Sequence, residues 1–189
     1  MPHIHTEPNQ HDMTVSAYIV REIDSEWRCM VHFHKMIDVY MQVGGHIELN
    51  ETPWQAMAHE LEEESGYTLA ELELLQPTKN AVQTKGNITH PVPLSSSTHN
   101  VGGEHYHSDL CYGFVANNVP KHPAGEGESD DIHWMTLAEL REGAENGEVL
   151  QDVAGIYEYL LEILPQYHKV DAASFSLEKP TNNGIQYKR

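Results

Sequence analysis

Glu60, Glu63 and Glu64 stand three and four residues apart in the stretch GGHIELNETPWQAMAHELEEESGY, residues 44–67. On a helix of about 3.6 residues per turn, that spacing gathers the three carboxylates within about 100° of one another. Like charges so placed repel by about 0.2–0.5 kcal/mol per pair, so the cluster needs water or a cation in front of it. Carboxylate oxygens are hard ligands, and Mg²⁺ in phosphate-processing sites is held by a few of them with waters and substrate phosphates. Such a set orients a phosphate chain, offsets its charge and lowers the pKa of an attacking water. Gly44 and Gly45, just upstream, allow close approach of backbone, so a main-chain carbonyl can join the ligands. The plainer reading of an acidic run is a solvated helix face.

The helix that must carry these groups is well marked. Thr52-Pro53-Trp54-Gln55 combines a Thr N-cap, Pro at the first helical position and Gln in capping-box register. Trp54, Met57, Ala58 and Leu61 recur at helical spacing as one apolar stripe, and Gly66 supplies the stop. Upstream, TVSAYIVRE and WRCMVHFHK alternate with period two around the turn IDSE and predict a hairpin. VYMQVGGHIE continues as a short strand ending at Gly44-Gly45. ELELLQP, EHYHSDLCYGFVANN and IHWM read as later strands, TLAELREGA and VLQDVAGIYEYLLEIL as helices. The pattern predicts an α/β fold, a mixed sheet between helices on both faces. Residues 1–12 read as a polar N-terminal arm, 13–165 as a single domain with a long loop at about 77–103, and 166–189 as an extended tail.

Composition narrows the partners. The formal net charge of −18, from 11 Lys+Arg against 29 Asp+Glu, leaves no basic surface to displace counterions from a polyanion. Neither a nucleic-acid polymer nor an anionic membrane is expected as a partner, whereas a small phosphorylated ligand is compatible if metal ions supply positive charge. Two cysteines outside any C-x-x-C pair, no apolar run of about 18 residues and no basic leader predict a soluble, untargeted, cytoplasmic protein. A homodimer is compatible with the pattern.

Other side chains offer weaker signals. His105 and His107 alternate on one strand face, as do His32 and His34, but no further ligand is spaced in the sequence to complete a zinc site. They read as polar or substrate-contacting. His46 directly follows the glycines and is a candidate substrate contact, as is His107. Cys111 reads as a packed small residue, not a nucleophile, because nothing marks a partner base. Trp54 and Trp134 read as core, although they and Tyr40 are also of a type that stacks on a base. The polar segment THPVPLSSSTHNVGGEHYH is the stretch in which loop-borne specificity is to be sought.

The order Gly45, five residues, Glu51, seven residues, His59-Glu60-Leu61, one residue, Glu63-Glu64, one residue, Gly66-Tyr67 resembles the Nudix box G-x5-E-x7-R-E-U-x-E-E-x-G-U, U being a bulky aliphatic residue. Every glycine and glutamate is in place; the departures are His59 for arginine and Tyr67 for the last U. QVGGHIE at 42–48 and HSDLCY at 107–112 also look like one Nudix subgroup. The resemblance implies a Nudix-type α/β/α sandwich. It implies Mg²⁺ or Mn²⁺ bound by Glu60, Glu63 and Glu64 with the Gly44 carbonyl, and structural support from Gly45, Glu51, His59 and Gly66. The general base would be Glu63, Glu60 or Glu128, the last lying six residues ahead of Trp134, with Asp130 or Asp131 able to substitute. The implied reaction is hydrolysis of a phosphoanhydride in a nucleoside diphosphate linked to another moiety. A non-catalytic ligand-binding module and an isopentenyl-diphosphate-isomerase-like enzyme are the alternatives. His59 weakens one expectation, since histidine lacks the permanent charge and forked geometry of arginine.

Overall fold

The alternation of residues 14–22 places successive side chains on opposite sides of one strand. In the computed structural model, which describes residues 4–5, 7–80, 82 and 86–180, that strand is β1, His11–Ile23. Its Val15, Ala17 and Ile19 enter one core, and Tyr18 and Val20 enter a second. β2 (Glu26–His34) follows through a turn in which Asp24 and Ser25 both take positive φ, the geometry that matches a two-residue hairpin to strand twist.

The strands β3 (Val39–Met41), β4 (Val43–His46), β5 (Leu72–Gln76), β6 (Ser95–Gly102), β7 (His105–Ala116), β8 (Ile132–Met135) and β9 (His168–Asp171) complete a nine-stranded sheet. β1 and β7 run parallel while the other pairs are antiparallel, so the sheet is mixed, as expected. α1 (Pro53–Glu60) supplies Trp54, Met57 and, just beyond its end, Leu61 to the first core. α2 (Leu137–Asn146) and α3 (Gln151–Ile163) cover the second core with Leu140, Tyr157 and Leu160. Helices on both faces make the α/β/α sandwich. Among the described residues no helix is long and apolar enough to cross a membrane.

α1 starts where its cap signals place it. The Thr52 hydroxyl accepts from the Gln55 amide at 3.3 Å and the Gln55 side chain accepts from the Thr52 amide at 2.9 Å. The sequence predicts one α-helix up to Gly66, but from Leu61 to Ser65 the chain widens into a π turn. Gly66 then ends it with φ +73°; a Cβ there would lie 2.1 Å from the His122 carbonyl oxygen.

Several segments depart from expectation. Most of the predicted loop's end, Ser95–Gly102, is β6, paired with β7. The strand predicted to end at the glycines divides in two, and Gly44 and Gly45 lie within β4, paired with β1. His11 and Asp12, read as arm, already belong to β1. The segment read as an extended tail returns to the sheet: β9 pairs with β5, Phe175 packs on Trp54 at 5.8 Å between ring centroids, and the Leu177 carbonyl accepts from Gln55. Positions 1–3 and 6 of the arm, 81 and 83–85 of the loop and 181–189 of the tail lie outside the described residues.

Trp54 is fully buried between Tyr112, Phe114 and Phe175, whereas Trp134 is only partly buried beneath the Arg21 guanidinium at 4.4 Å. Trp54→Ala is therefore expected to cost about 3–5 kcal/mol in urea unfolding. Trp134→Ala should cost less, and equal losses would contradict this placement of the core.

Candidate active site

The π turn at the end of α1 sets Glu60 and Glu64 against β4. A Cβ on Gly45 would lie 2.1 Å from Glu60 Oε1, so only glycine leaves room for that carboxylate. The Gly44 amide donates to Glu64 Oε2 at 2.8 Å. Both glutamates are buried, with relative exposures of 3% and 7%. Burial pushes the Glu60 carboxyl up to about 7 against the favourable charge of His59, and nearby Glu63, Glu128 and Glu51 add repulsion. Burial pushes Glu64 up to about 9, against the pull of the Gly44 amide and with further repulsion from Glu60 and Glu128. Glu60 Oε1 finds no hydrogen-bond partner among the described residues.

That orphaned oxygen tests whether a divalent cation fits. A buried carboxylate without a partner costs several kcal/mol unless a proton or a cation neutralises it. That oxygen and the neighbouring Glu64 carboxylate, beside one backbone strand, match the hard oxygen donors that Mg²⁺ and Mn²⁺ take. His32 Nε2 lies 3.2 Å from Glu64 Oε2, and burial, reinforced by His34, holds its ring down to about 4. Burial thus disfavours the charged ring and makes it a poor counter-charge for Glu64. The sequence showed His32 only as one of an alternating pair on β2, with nothing to connect it to Glu64.

Glu63 is more exposed than Glu60 and Glu64. Its carboxylate is 46% exposed and lies 2.9 Å from His59 Nε2, and His59 Nδ1 is 3.5 Å from Glu51. His59 thus bridges the two glutamates. Partial burial works against its charge, but the bond to Glu63 and the charges of Glu63, Glu60 and Glu51 outweigh it and raise the ring's pKa.

Glu128 rides on a loop fastened to the π turn. The Gly125 amide donates to the Glu63 carbonyl at 2.6 Å, and Lys35 Nζ donates to the carbonyls of Gly127 and Glu128. The Glu128 side chain is exposed, and its charge acts on both Glu60 and Glu64. Asp131 is occupied differently, accepting from the Tyr40 hydroxyl at 2.8 Å and lying 2.8 Å from His133 Nε2. Asp130 is exposed.

His46 and His107 do come together, with Nε2 atoms 3.2 Å apart, but not beside the glutamates. Because Gly45 faces Glu60, the next residue of β4 faces the opposite side of the sheet. There His46 meets Asp12, at 3.6 Å, as well as His107. Asp12 carried no local signal, standing in a polar run 93 residues before the nearest of its strand-borne histidines on β7. Cys111 is buried, its thiol donates to Asp109, and burial with that carboxylate's charge raises its pKa, so it packs as expected.

A family model described as NUDIX domain matches residues 16–153. Comparison with curated proteins found no match. Among solved structures, a NUDIX-family hydrolase from Clostridium perfringens is similar at TM-score 0.65 and 24% identity, over 81% of this chain and 97% of that one. An Ap4A hydrolase from C. elegans is similar at TM-score 0.61 and 14% identity, over 82% and 99%. The NUDIX domain of Shewanella oneidensis NrtR, solved with ADP ribose, is similar at TM-score 0.60 and 16% identity, over 82% and 89%. These likenesses concern the fold. With every glycine and glutamate of the box in place, Glu60 and Glu64 set against β4 and the family model covering most of the chain, this chain belongs to the NUDIX domain family.

Proposed function

We propose that this chain is a divalent-cation-dependent hydrolase of a phosphoanhydride in a nucleoside diphosphate linked to another moiety. The observation that carries this reading is the pair of buried carboxylates, Glu60 and Glu64, with an orphaned oxygen beside the glycines of β4. The ADP ribose named with one structural neighbour and the dinucleotide substrate named for another support the substrate class.

Glu60 and Glu64 would hold Mg²⁺ or Mn²⁺, with Glu63 and the Gly44 carbonyl as further ligands. The bound cation offsets phosphate charge and acidifies the attacking water. Water forms the new P–O bond, the bridging P–O bond breaks, and the departing phosphate carries away the electron pair. Glu128 takes the water's proton in this reading, because Glu60 is committed to the buried pair and Glu63 is engaged by His59. Gly45 keeps Glu60 in place by leaving its carboxylate room, and the Gly44 amide fixes Glu64.

With Mg²⁺ or Mn²⁺, the protein should release phosphate-containing products from at least one of nucleoside triphosphates, nucleotide sugars, dinucleoside polyphosphates, NADH and ADP-ribose. Glu64→Gln should abolish that release, and Glu128→Gln should lower kcat by about 10²–10⁴-fold. A larger loss in Glu63→Gln would move the base to Glu63. Inertness across the whole panel would favour a ligand-binding module, a reading to which the ADP ribose bound by the NrtR domain also lends support.

Stability of the metal-free protein should depend on pH in a definite sense. The folded-state pKa values of Glu60 and Glu64 are raised, to about 7 and about 9, above their ordinary value of 4.5. Their contribution is fully present below the unfolded value and is lost as pH rises through the folded ones. The Tm in chelator should fall between about pH 5 and about pH 9, and added Mn²⁺ should recover more at the alkaline end. A recovery independent of pH would count against cation binding by this pair.

His59→Arg should increase kcat/KM relative to the wild type, most of all at alkaline pH, where histidine has lost its charge and arginine has not. An unchanged rate and profile from about pH 6 to about pH 9 would show that the bridge between Glu51 and Glu63 does not support the site.

A further inference from the structure

Four metal-competent side chains converge on the sheet face opposite the glutamates. Asp12, the second residue of β1, pairs in register with His107 of β7 and is fully buried. One ligand atom each from Asp12, His105 and His107 lies within 4.8 Å of the other two. His46 borders this group from β4, its Nε2 being 3.2 Å from His107 Nε2 and 3.6 Å from Asp12 Oδ2. His105 Nε2 is 3.2 Å from that same oxygen. A tetrahedral ion with bonds of about 2.0–2.1 Å sets its ligands about 3.3 Å apart, so these three separations are already close to the spacing that such an ion imposes.

The chemistry agrees with the spacing. Two Nε2 atoms facing each other form a hydrogen bond only when one carries a proton and the other does not, whereas a shared cation takes a lone pair from each. The carboxylate is held ready: Asp12 Oδ1 accepts from the His5 amide at 2.9 Å and lies 2.7 Å from His5 Nδ1, while Oδ2 accepts from the Ile4 amide at 2.9 Å. Burial alone would favour its protonated form, but these bonds, with the charge of His46, bring its pKa down to about 2. Such outer contacts orient ligating carboxylates in metal sites.

We propose that Asp12, His105 and His107, with His46 as fourth ligand, bind a single zinc-class divalent ion. An imidazole-rich set selects Zn²⁺ and its neighbours over Mg²⁺, so this site is chemically distinct from the glutamate pair and does not depend on the hydrolase reading. Its ligands come from β1, β4 and β7, and Ile4 and His5 reach it from the arm, so the ion ties the chain's first segment to the strand that carries Gly44 and Gly45.

The test uses full-length protein stripped with chelator and titrated with Co²⁺ and then Zn²⁺. One Co²⁺ per chain should give the strong visible absorption of a tetrahedral site, and Zn²⁺ should displace it. Glu60→Gln with Glu64→Gln should leave that signal intact. His107→Ala should weaken binding by at least about 100-fold, and His5→Ala, which removes only an outer contact, by about 10–100-fold. Unaltered wild-type protein gives a check that needs no variant: Zn²⁺ added in the presence of saturating Mg²⁺ should raise its Tm further. A weak octahedral Co²⁺ spectrum, affinity unchanged by His107→Ala, or no further Tm shift with Zn²⁺ would overturn the proposal.

Discussion

The burial of two carboxylates at one point sets the terms for the rest of the site. Glu60 and Glu64 lie one turn apart, almost wholly removed from water, and Glu128 adds a third negative field. Two charged carboxylates cannot share such a place without a counter-charge, because desolvation and mutual repulsion both favour protonation. His32, 3.2 Å from Glu64, has its charged form disfavoured by its own burial. Protons or a divalent cation would complete the site, and the cation is what the proposed phosphate chemistry calls for.

The sandwich supports that arrangement through close approaches that any side chain would prevent. Gly45 leaves room for Glu60, Gly66 passes the His122 carbonyl at the end of the π turn, and Gly44 lies over the Val15 carbonyl. Trp54, Met57 and Leu61 hold the helix to the first core, so the glutamates follow the position of that apolar stripe. The loop bearing Glu128 is pinned to Glu63 by the Gly125 amide. Backbone contacts, more than pairs of side chains, fix the geometry.

Local features were legible in the sequence in proportion to how local their causes are. The capping box at Thr52, the stripe from Trp54 to Leu61 and the stop at Gly66 each act within a few residues, and all three appear in the structure where the sequence puts them. β6 was hidden because its Ser-rich residues are almost all exposed and had no buried face to impose alternation. β9 is four residues long, too short for a pattern to emerge. The π turn leaves no period of its own over five residues. The meeting of Asp12 with histidines from β4 and β7 depends on strand pairing across much of the chain, which no spacing rule can anticipate. His59 is a middle case: its departure from arginine was visible, but its bridge from Glu51 to Glu63 emerged only with the fold.

The central claim is that Glu60 and Glu64 are buried together because a divalent cation belongs between them and β4. Anomalous diffraction from crystals soaked in Mn²⁺ tests it most directly. The account predicts a peak within about 2.0–2.6 Å of carboxylate oxygens of both Glu60 and Glu64. Ordered glutamates with no peak beside them, or manganese bound only at distant surface carboxylates, would contradict it.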